Sequence, residues 1–436
     1  MILMPALRTA GAMRRRIPVF VALLVLPFAP VMQSLRAQDT LTLGTLHRLA
    51  ESADARAAQS ELIAEQSALR TETLRRERLP SLGLAASGTY LSDVPSLPGG
   101  AGLGPLNQQF DSYVTARATL FDPTRGARST VEQAQLAEAQ AGVRSVLWQQ
   151  RTQVNDAFFG ILLRQAQQRA LDAAIADLTE RRRVAQARVE GGAALASETA
   201  LLDAEIARRE QLLVEARAEE ESLRLVLASL TGRPVEATTV LALPADEAAL
   251  PDAGRDRPEF AQYATTRELL ARRDAVIGAQ QLPRVALVGR SGYGRPGLNA
   301  LGREFDTYYT VGLQLEWTPF NWGATARERE VQQLQARIVE TYESHFSEAL
   351  ARVVANERAR IAALEAGLVS DSTIIALRAR VLSETRLRYD EGEVSAADYV
   401  LRLTESLNAT LDRDTRTVRL AEARARYLTT IGREVR

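Results

Sequence analysis

The sequence predicts a mainly α-helical protein with a transmembrane β part, built from a repeat that occurs twice. Three observations predict it. Proline, the strongest helix breaker, is missing between Pro123 and Pro234 and again after Pro319. Short segments outside those spans alternate apolar with small or polar residues at period two. And the same landmarks recur in the same order at a spacing of about 200 residues, the length of a duplicated domain.

The repeat is read from its landmarks. Leu79-Pro80 returns as Leu282-Pro283, and Phe110-Asp111-Ser112-Tyr113 as Phe305-Asp306-Thr307-Tyr308. Phe121-Asp122 returns as Phe320-Asn321. Arg188, Gly192, Ala196, Leu201 and Glu205 return as Arg388, Gly392, Ala396, Leu401 and Glu405, and Gly232-Arg233 as Gly432-Arg433. The expected organisation is a signal peptide over 1–37, a first copy over 38–233, a linker over 234–257 and a second copy over 258–436.

Inside the proline-free spans the apolar residues step by three and four, the seam of a coiled coil. Val154, Phe158 and Ile161 do so in the first copy, then Leu171, Ile175 and Leu178. In the second, Val331, Leu334, Ile338, Tyr342 and His345 do the same, which predicts a packed His345. Each long helix should stop at glycine, which tolerates the left-handed geometry of a C-cap: Gly191-Gly192 and Gly392. A return helix then starts near Ser197 or Ser395, with Glu198 or Asp398 in its first turn. The hairpins are expected over about 125–231 and 324–431, preceded by shorter helices over 43–78 and 258–281. Trp148 reads as helix packing.

Two segments per copy read as strands, about 81–91, 112–121, 284–294 and 307–318. Leu82, Leu84, Ala86, Gly88 and Tyr90 alternate with Ser81, Gly83, Ala85, Ser87 and Thr89. Tyr309, Val311, Leu313, Leu315 and Trp317 alternate with Thr310, Gly312, Gln314 and Glu316. Strands of about ten residues, apolar on one face and aromatic near their ends, match a membrane-spanning barrel. Tyr90, Tyr309 and Trp317 are its expected girdle, and the Gly-rich run 99–104 its loop. Four strands do not close, and an open edge is not tolerated in lipid. The chain must then oligomerise, with roughly 8, 12 or 16 strands for a dimer, trimer or tetramer.

Composition narrows the function. Net charge is zero, so nothing marks a nucleic-acid partner. Every positive side chain is Arg, a coding bias. Cysteine is absent, which excludes disulfides, thiol catalysis and a cysteine lipid anchor. The only histidines, His47 and His345, are too far apart to suggest a metal site. No cofactor loop and no nucleophile–base pairing is legible, so neither an enzyme nor a cofactor is expected. Arg14-Arg15-Arg16, the apolar run Ile17 to Met32 broken by Pro18, Pro27 and Pro30, and Ala37 before Gln38 form the layout of a signal peptide. Met13 is an alternative start.

The duplicated order of helix, strand, strand and helical hairpin resembles the TolC-type outer-membrane efflux protein family. Arg257-Pro258-Glu259, Leu282-Pro283 and Arg388-Tyr389-Asp390-Glu391-Gly392, followed by Ser395 and Asp398, carry the resemblance. It implies a homotrimer whose strands form one outer-membrane barrel and whose helices form a hollow periplasmic α-barrel. It implies export, with a periplasmic membrane-fusion adaptor and an inner-membrane pump as partners, outer-membrane lipid around the strands, and no nucleic acid. The tips Gly191, Gly192 and Gly392, with Arg188, Ser197, Arg388 and Ser395, match the adaptor-contacting rim. Asp398 matches an acidic position at the pore mouth, Glu198 sits at the same offset in the first copy, and Tyr389 matches a latch to Glu198. Leu401 and Val394 depart from the pattern, standing where some members carry a second acid and a base.

Plainer readings stand beside these. Asp398 and Glu198 also suit simple helix N-terminal acids. A soluble periplasmic coiled-coil protein, structural or adaptor-like, is the alternative to the channel.

Overall fold

The computed structural model of the chain describes residues 40–94, 106–244, 250–299 and 302–435. The expected signal peptide over 1–37 and the run 99–104 lie outside the described residues. The order of elements runs twice. In the first half come β1 (Thr40–Thr42), α1 (Leu43–Ala53), α2 (Gln59–Arg76), β2 (Ser81–Tyr90), β3 (Gln108–Phe121), α3 (Pro123–Glu190) and α4 (Ala196–Thr231). Then follow β4 (Val240–Ala242), α5 (Pro258–Ala279), β5 (Arg284–Arg295), β6 (Asp306–Glu316), α6 (Ala324–Asp390) and α7 (Ala396–Ile431).

The long helices are as continuous as their lack of proline allows. α3 has 68 residues and α6 has 67, so each runs roughly 100 Å. α3 opens with Asp122 as N-cap, whose carboxylate accepts from the Thr124 amide at 2.9 Å, and with Pro123 in its first turn. α4 and α7 close on Gly232 and Gly432, both left-handed, at φ 64° and 90°. A Cβ on Gly432 would come within 2.5 Å of the Arg257 amide nitrogen, so glycine also lets α7 end against the start of α5.

β2, β3, β5 and β6 form one antiparallel sheet in that order. Leu82, Ala116, Gly289 and Val311 share a row across it, and so do Leu84, Val114, Ser291 and Tyr309. That face is apolar and bare: Leu82 and Leu84 are 76% and 79% exposed, Val311 and Leu313 72% and 71%. The other face carries Arg117, which donates to Gln314 at 2.9 Å, and Asp111, which accepts from Tyr308 at 2.5 Å and pairs with Arg290. The Tyr308 ring lies over Gly292, where a Cβ would sit 2.5 Å from it. Among the described residues β2 and β6 have no outer neighbour in the sheet. Among the described residues no helix is long and apolar enough to cross a membrane.

The core gathers where the chain's two halves meet at mid-helix. Leu43, Leu46, Phe158, Phe159, Ile161, Leu227, Tyr427 and Ile431 are buried there, and Trp148 donates to the Thr429 carbonyl at 3.1 Å. β1 and β4 pair in parallel on its flank. His47 is buried in this core. Its Nε2 lies 2.7 Å from Asn155 Oδ1, and Nδ1 has no partner.

Several expectations need correction. β3 begins at Gln108 and not at 112, because its pairing with β2 continues to Tyr90. The helix expected over 43–78 breaks at Asp54, whose carboxylate caps a short 3-10 turn, Ala55–Ala58. β4 and β1 were not foreseen inside the linker and at the chain's start. His345, expected to be packed, is exposed, and so are Val331, Leu334, Ile338 and Tyr342. That stripe on α6 faces away from the rest of the chain. The step on α3 over Val154, Phe158 and Ile161, which lies further along its helix, is fully buried.

Burial pushes His47 down to about 4, against the hydrogen bond to Asn155, which favours the charged form; the nearby Arg151 charge lowers it further. The unfolded chain therefore binds the proton more readily between pH 6.5 and 4. The stability that His47 contributes is complete above pH 6.5 and is lost as pH falls toward 4, by about 3 kcal/mol. Thermal unfolding in detergent across that range should show this slope, and His47→Gln should flatten it.

Candidate functional site

The site is built at the turns of the two hairpins. Both turns have the same backbone. In the first, the Gly192 amide donates to Val189 O at 3.0 Å and Ala193 to Arg188 O at 2.8 Å. In the second, Gly392 donates to Tyr389 O at 3.0 Å and Glu393 to Arg388 O at 2.8 Å. This is the Schellman closure, with left-handed glycine at φ 73° and 82°. Gly191 is the C-cap of α3, and the matching cap of α6 is Glu391.

The starts of the return helices differ. Ser395 is the N-cap of α7: its hydroxyl accepts from the Asp398 amide at 3.2 Å, and Asp398 accepts back from Ser395. This is a full capping box. In the first copy the equivalent position is Leu195, which has no side-chain cap, and Ser197 already lies inside α4. The expected Ser197 cap is therefore corrected. The turn has a fixed length, and a leucine occupies its cap position.

Side chains then join the two turns. Arg188 reaches across to donate to the Tyr389 carbonyl at 3.0 Å and lies 5.7 Å from the centre of the Tyr389 ring. Its counterpart Arg388 stays local, pairing with Glu393 at 3.1 Å in an exposed position. The buried Arg181 pairs with Asp390 at 2.8 Å. Tyr399 donates to Asp177, and its ring stacks on Tyr389 with centroids 5.4 Å apart. Leu178, Ala185, Leu202, Ala396 and Leu403 close a small core around the two tyrosines.

Tyr389 is fully buried, and among the described residues neither its hydroxyl nor the buried Glu198 Oε2 has a hydrogen-bond partner. The hydrogen bond between them that the resemblance implies is not made here. The two are nonetheless coupled: burial raises the Tyr389 hydroxyl above the usual range, and the Glu198 charge raises it further. Burial and the Asp177 carboxylate push Tyr399 the same way. Asp398 is exposed, and its hydrogen bonds with Ser395 hold its carboxyl below the usual range, so it is charged at neutral pH. The ties Arg181–Asp390 and Tyr399–Asp177 were not anticipated from the sequence. A tyrosine on either side of the glycine turn was the signal available.

On the sheet, Tyr90 stands at one end of β2, Tyr309 lies within β6 opposite Ser291, and Trp317 follows the other end of β6. All three are exposed on the apolar side.

No family model and no curated protein matches the sequence. Solved structures do. The outer-membrane channel OprN superposes with a TM-score of 0.67 over 89% of each chain at 18% identity. The outer membrane protein VceC of Vibrio cholerae gives 0.67 over 89% of this chain and 96% of its own, at 17% identity. The chain has the outer-membrane channel fold. The MtrE outer membrane channel of Neisseria gonorrhoeae, solved in its open state, gives 0.64 over 90% of this chain and 89% of its own, at 18% identity. Within this fold, the apolar sheet face and the paired hairpin turns lie at opposite ends of α3 and α6.

The turns differ in one testable way. A Cβ on Gly192 meets nothing within 4 Å, whereas on Gly392 it would lie 2.8 Å from Arg188 Nη2. Gly192→Ala should cost about 1 kcal/mol through its left-handed backbone alone. Gly392→Ala should cost about 2 kcal/mol, because it also displaces Arg188 from the Tyr389 carbonyl. Amide hydrogen exchange at the two turns should rank the variants in that order.

Proposed function

We propose that the chain is the outer-membrane channel subunit of a tripartite efflux or type I secretion system, a passive export duct across periplasm and outer membrane. One observation carries this reading: a four-stranded sheet with one bare apolar face and both edges free among the described residues. Water penalises such a face, and lipid accepts it only when the edges are closed by further strands. Three copies supply about 12 strands, within the range of known barrels. The exposed stripe Val331, Leu334, Ile338 and Tyr342 on α6 is then the seam to the next copy. The channels of like fold support the reading.

In this assembly Tyr90, Tyr309 and Trp317 sit at the membrane's borders among outer-membrane lipid. The hairpin tips face a periplasmic membrane-fusion adaptor joined to an inner-membrane pump. Gly191, Gly192 and Gly392 form that rim with Arg188, Ser197, Arg388 and Ser395. Asp398, with Glu198, lines the periplasmic mouth and favours cations there. Tyr389 belongs to the same gate. Transport needs width and charge, so the chain performs no catalysis and takes no cofactor. The soluble coiled-coil alternative leaves the apolar sheet face without a solvent, and nothing specific favours it.

The reading is tested by recording single-channel conductance in a planar bilayer after purification from outer membranes. A trimer with cation-selective conductance is expected. Asp398→Asn keeps an acceptor for the Ser395 cap and removes the charge. It should therefore lower cation selectivity without loosening the hairpin. Unchanged selectivity would reduce Asp398 to a helix cap, and a water-soluble protein without conductance would overturn the channel.

A further inference from the structure

Where the sheet gives way to the helices, a groove of about 470 Å³ opens between the end of α2 and the start of α3. Arg75, Arg78 and Arg125 line it, beside Leu120 and Phe121 at the end of β3. The charge balance there is uneven. Glu72 is paired with Arg76, and Glu77 and Asp122 with Arg128. Among the described residues Arg75 and Arg78 make no ion pair and no side-chain hydrogen bond. The Arg125 guanidinium donates to the Glu77 carbonyl at 3.4 Å, and among the described residues its buried Nε has no partner. Three guanidinium groups thus share one groove with no free carboxylate to answer them.

The groove also has a defined side and height. Phe121 is in register with Val285, and Val285 with Leu315, so it belongs to the apolar face of the sheet. Leu120 and Phe121 are exposed there, at the end of the strand. Trp317 stands at the matching end of β6, its ring nitrogen donating to the Gln281 carbonyl at 3.0 Å. An indole at that level marks the border between hydrocarbon and headgroups. The arginines begin directly past the apolar residues, at headgroup depth.

We infer that this groove holds the phosphate of an anionic phospholipid from the periplasm-facing leaflet, an inference that rests on the channel reading above. Guanidinium matches phosphate oxygens in pairs of hydrogen bonds, and basic pockets beside membrane segments bind lipid headgroups. Arg75 and Arg78 take the phosphate, the Arg125 guanidinium adds positive charge beside it, and Leu120 and Phe121 meet the start of the acyl chains. The site ties the α2–α3 junction to the leaflet and sets how deep the barrel sits.

The test uses the full protein in detergent, with native mass spectrometry reading the lipids retained per chain. Phosphatidylglycerol, diacylglycerol and inorganic phosphate are supplied separately. Saturable retention of phosphatidylglycerol alone is expected. The double variant Arg75→Ala, Arg78→Ala should bind it about tenfold more weakly, the loss of one or two charge-assisted contacts, with its oligomeric state and thermal midpoint unchanged. Equal retention by the variant would overturn the inference. So would inorganic phosphate binding as tightly as the lipid, which would make this a free-anion site. Loss of the oligomer in the variant would reassign the arginines to a contact between copies. A detergent-dependent channel indifferent to phosphatidylglycerol overturns this inference alone, whereas a chain that is soluble without detergent overturns the channel reading with it.

Discussion

The pairing of β3 with β5 organises the rest of the structure. These strands come from different copies of the repeat, and their ladder runs from Phe110–Arg295 to Phe121–Val285. α3 follows β3 through Asp122 alone, and α5 reaches β5 through the short turn after Ala279. Joining the strands therefore sets α3 beside α5. α4 returns along the other part of α3, and α7 returns along α6 in the same way. Two hairpins of about 100 Å are thus aligned by one set of backbone hydrogen bonds at their base. The core around Phe158, Leu227 and Tyr427 locks them midway, and the tyrosine pair locks them at the tips.

Duplication gave the two tips one backbone, and single residues then made them different. Ser395 caps its helix while Leu195 does not. Arg188 crosses to the other turn while Arg388 bonds within its own. The result is directional: the first hairpin supplies the side chains that reach, and the second supplies the carbonyl, the carboxylate and the rings they reach for. Arg181 on Asp390 repeats this direction, and Asp177 reverses it by accepting from Tyr399. An ion pair between the buried Arg181 and a solvent-facing carboxylate adds little net stability. Asp390 itself is exposed, so it is loss of the carboxylate, not of the arginine, that would strand a buried charge, and the pair holds Arg181 in place.

Local chemistry was legible in the sequence, and distant partnerships were not. The glycine turns, the Ser395–Asp398 cap and the alternating strands depend on residues within a few positions, and their spacing exposes them. Fold class could be read for the same reason. Tyr399 and Asp177 lie 222 positions apart, and nothing in either neighbourhood announces the other. β1 and β4 have three residues each, too short for a period to register. His345 shows a different limit. Its step on the apolar stripe was real, but periodicity says only that a face is apolar, not that the same chain covers it. The Leu195 cap position was legible in principle, by laying one turn over the other. The serine two residues later was a misleading local cue.

On the channel reading, the edges of β2 and β6 left free among the described residues have a consequence before assembly. A lone subunit in water offers two rows of backbone donors and acceptors beside a bare apolar face, which is a template for unspecific strand addition. Like copies satisfy those rows only at matched ends. Other polypeptides can satisfy them badly and irreversibly. Biogenesis is then a race between correct association and aggregation, and its outcome depends on subunit concentration and on whatever escorts the monomer. The feature that would let the proposed barrel be shared among copies would also make the unassembled chain the most vulnerable species in its life.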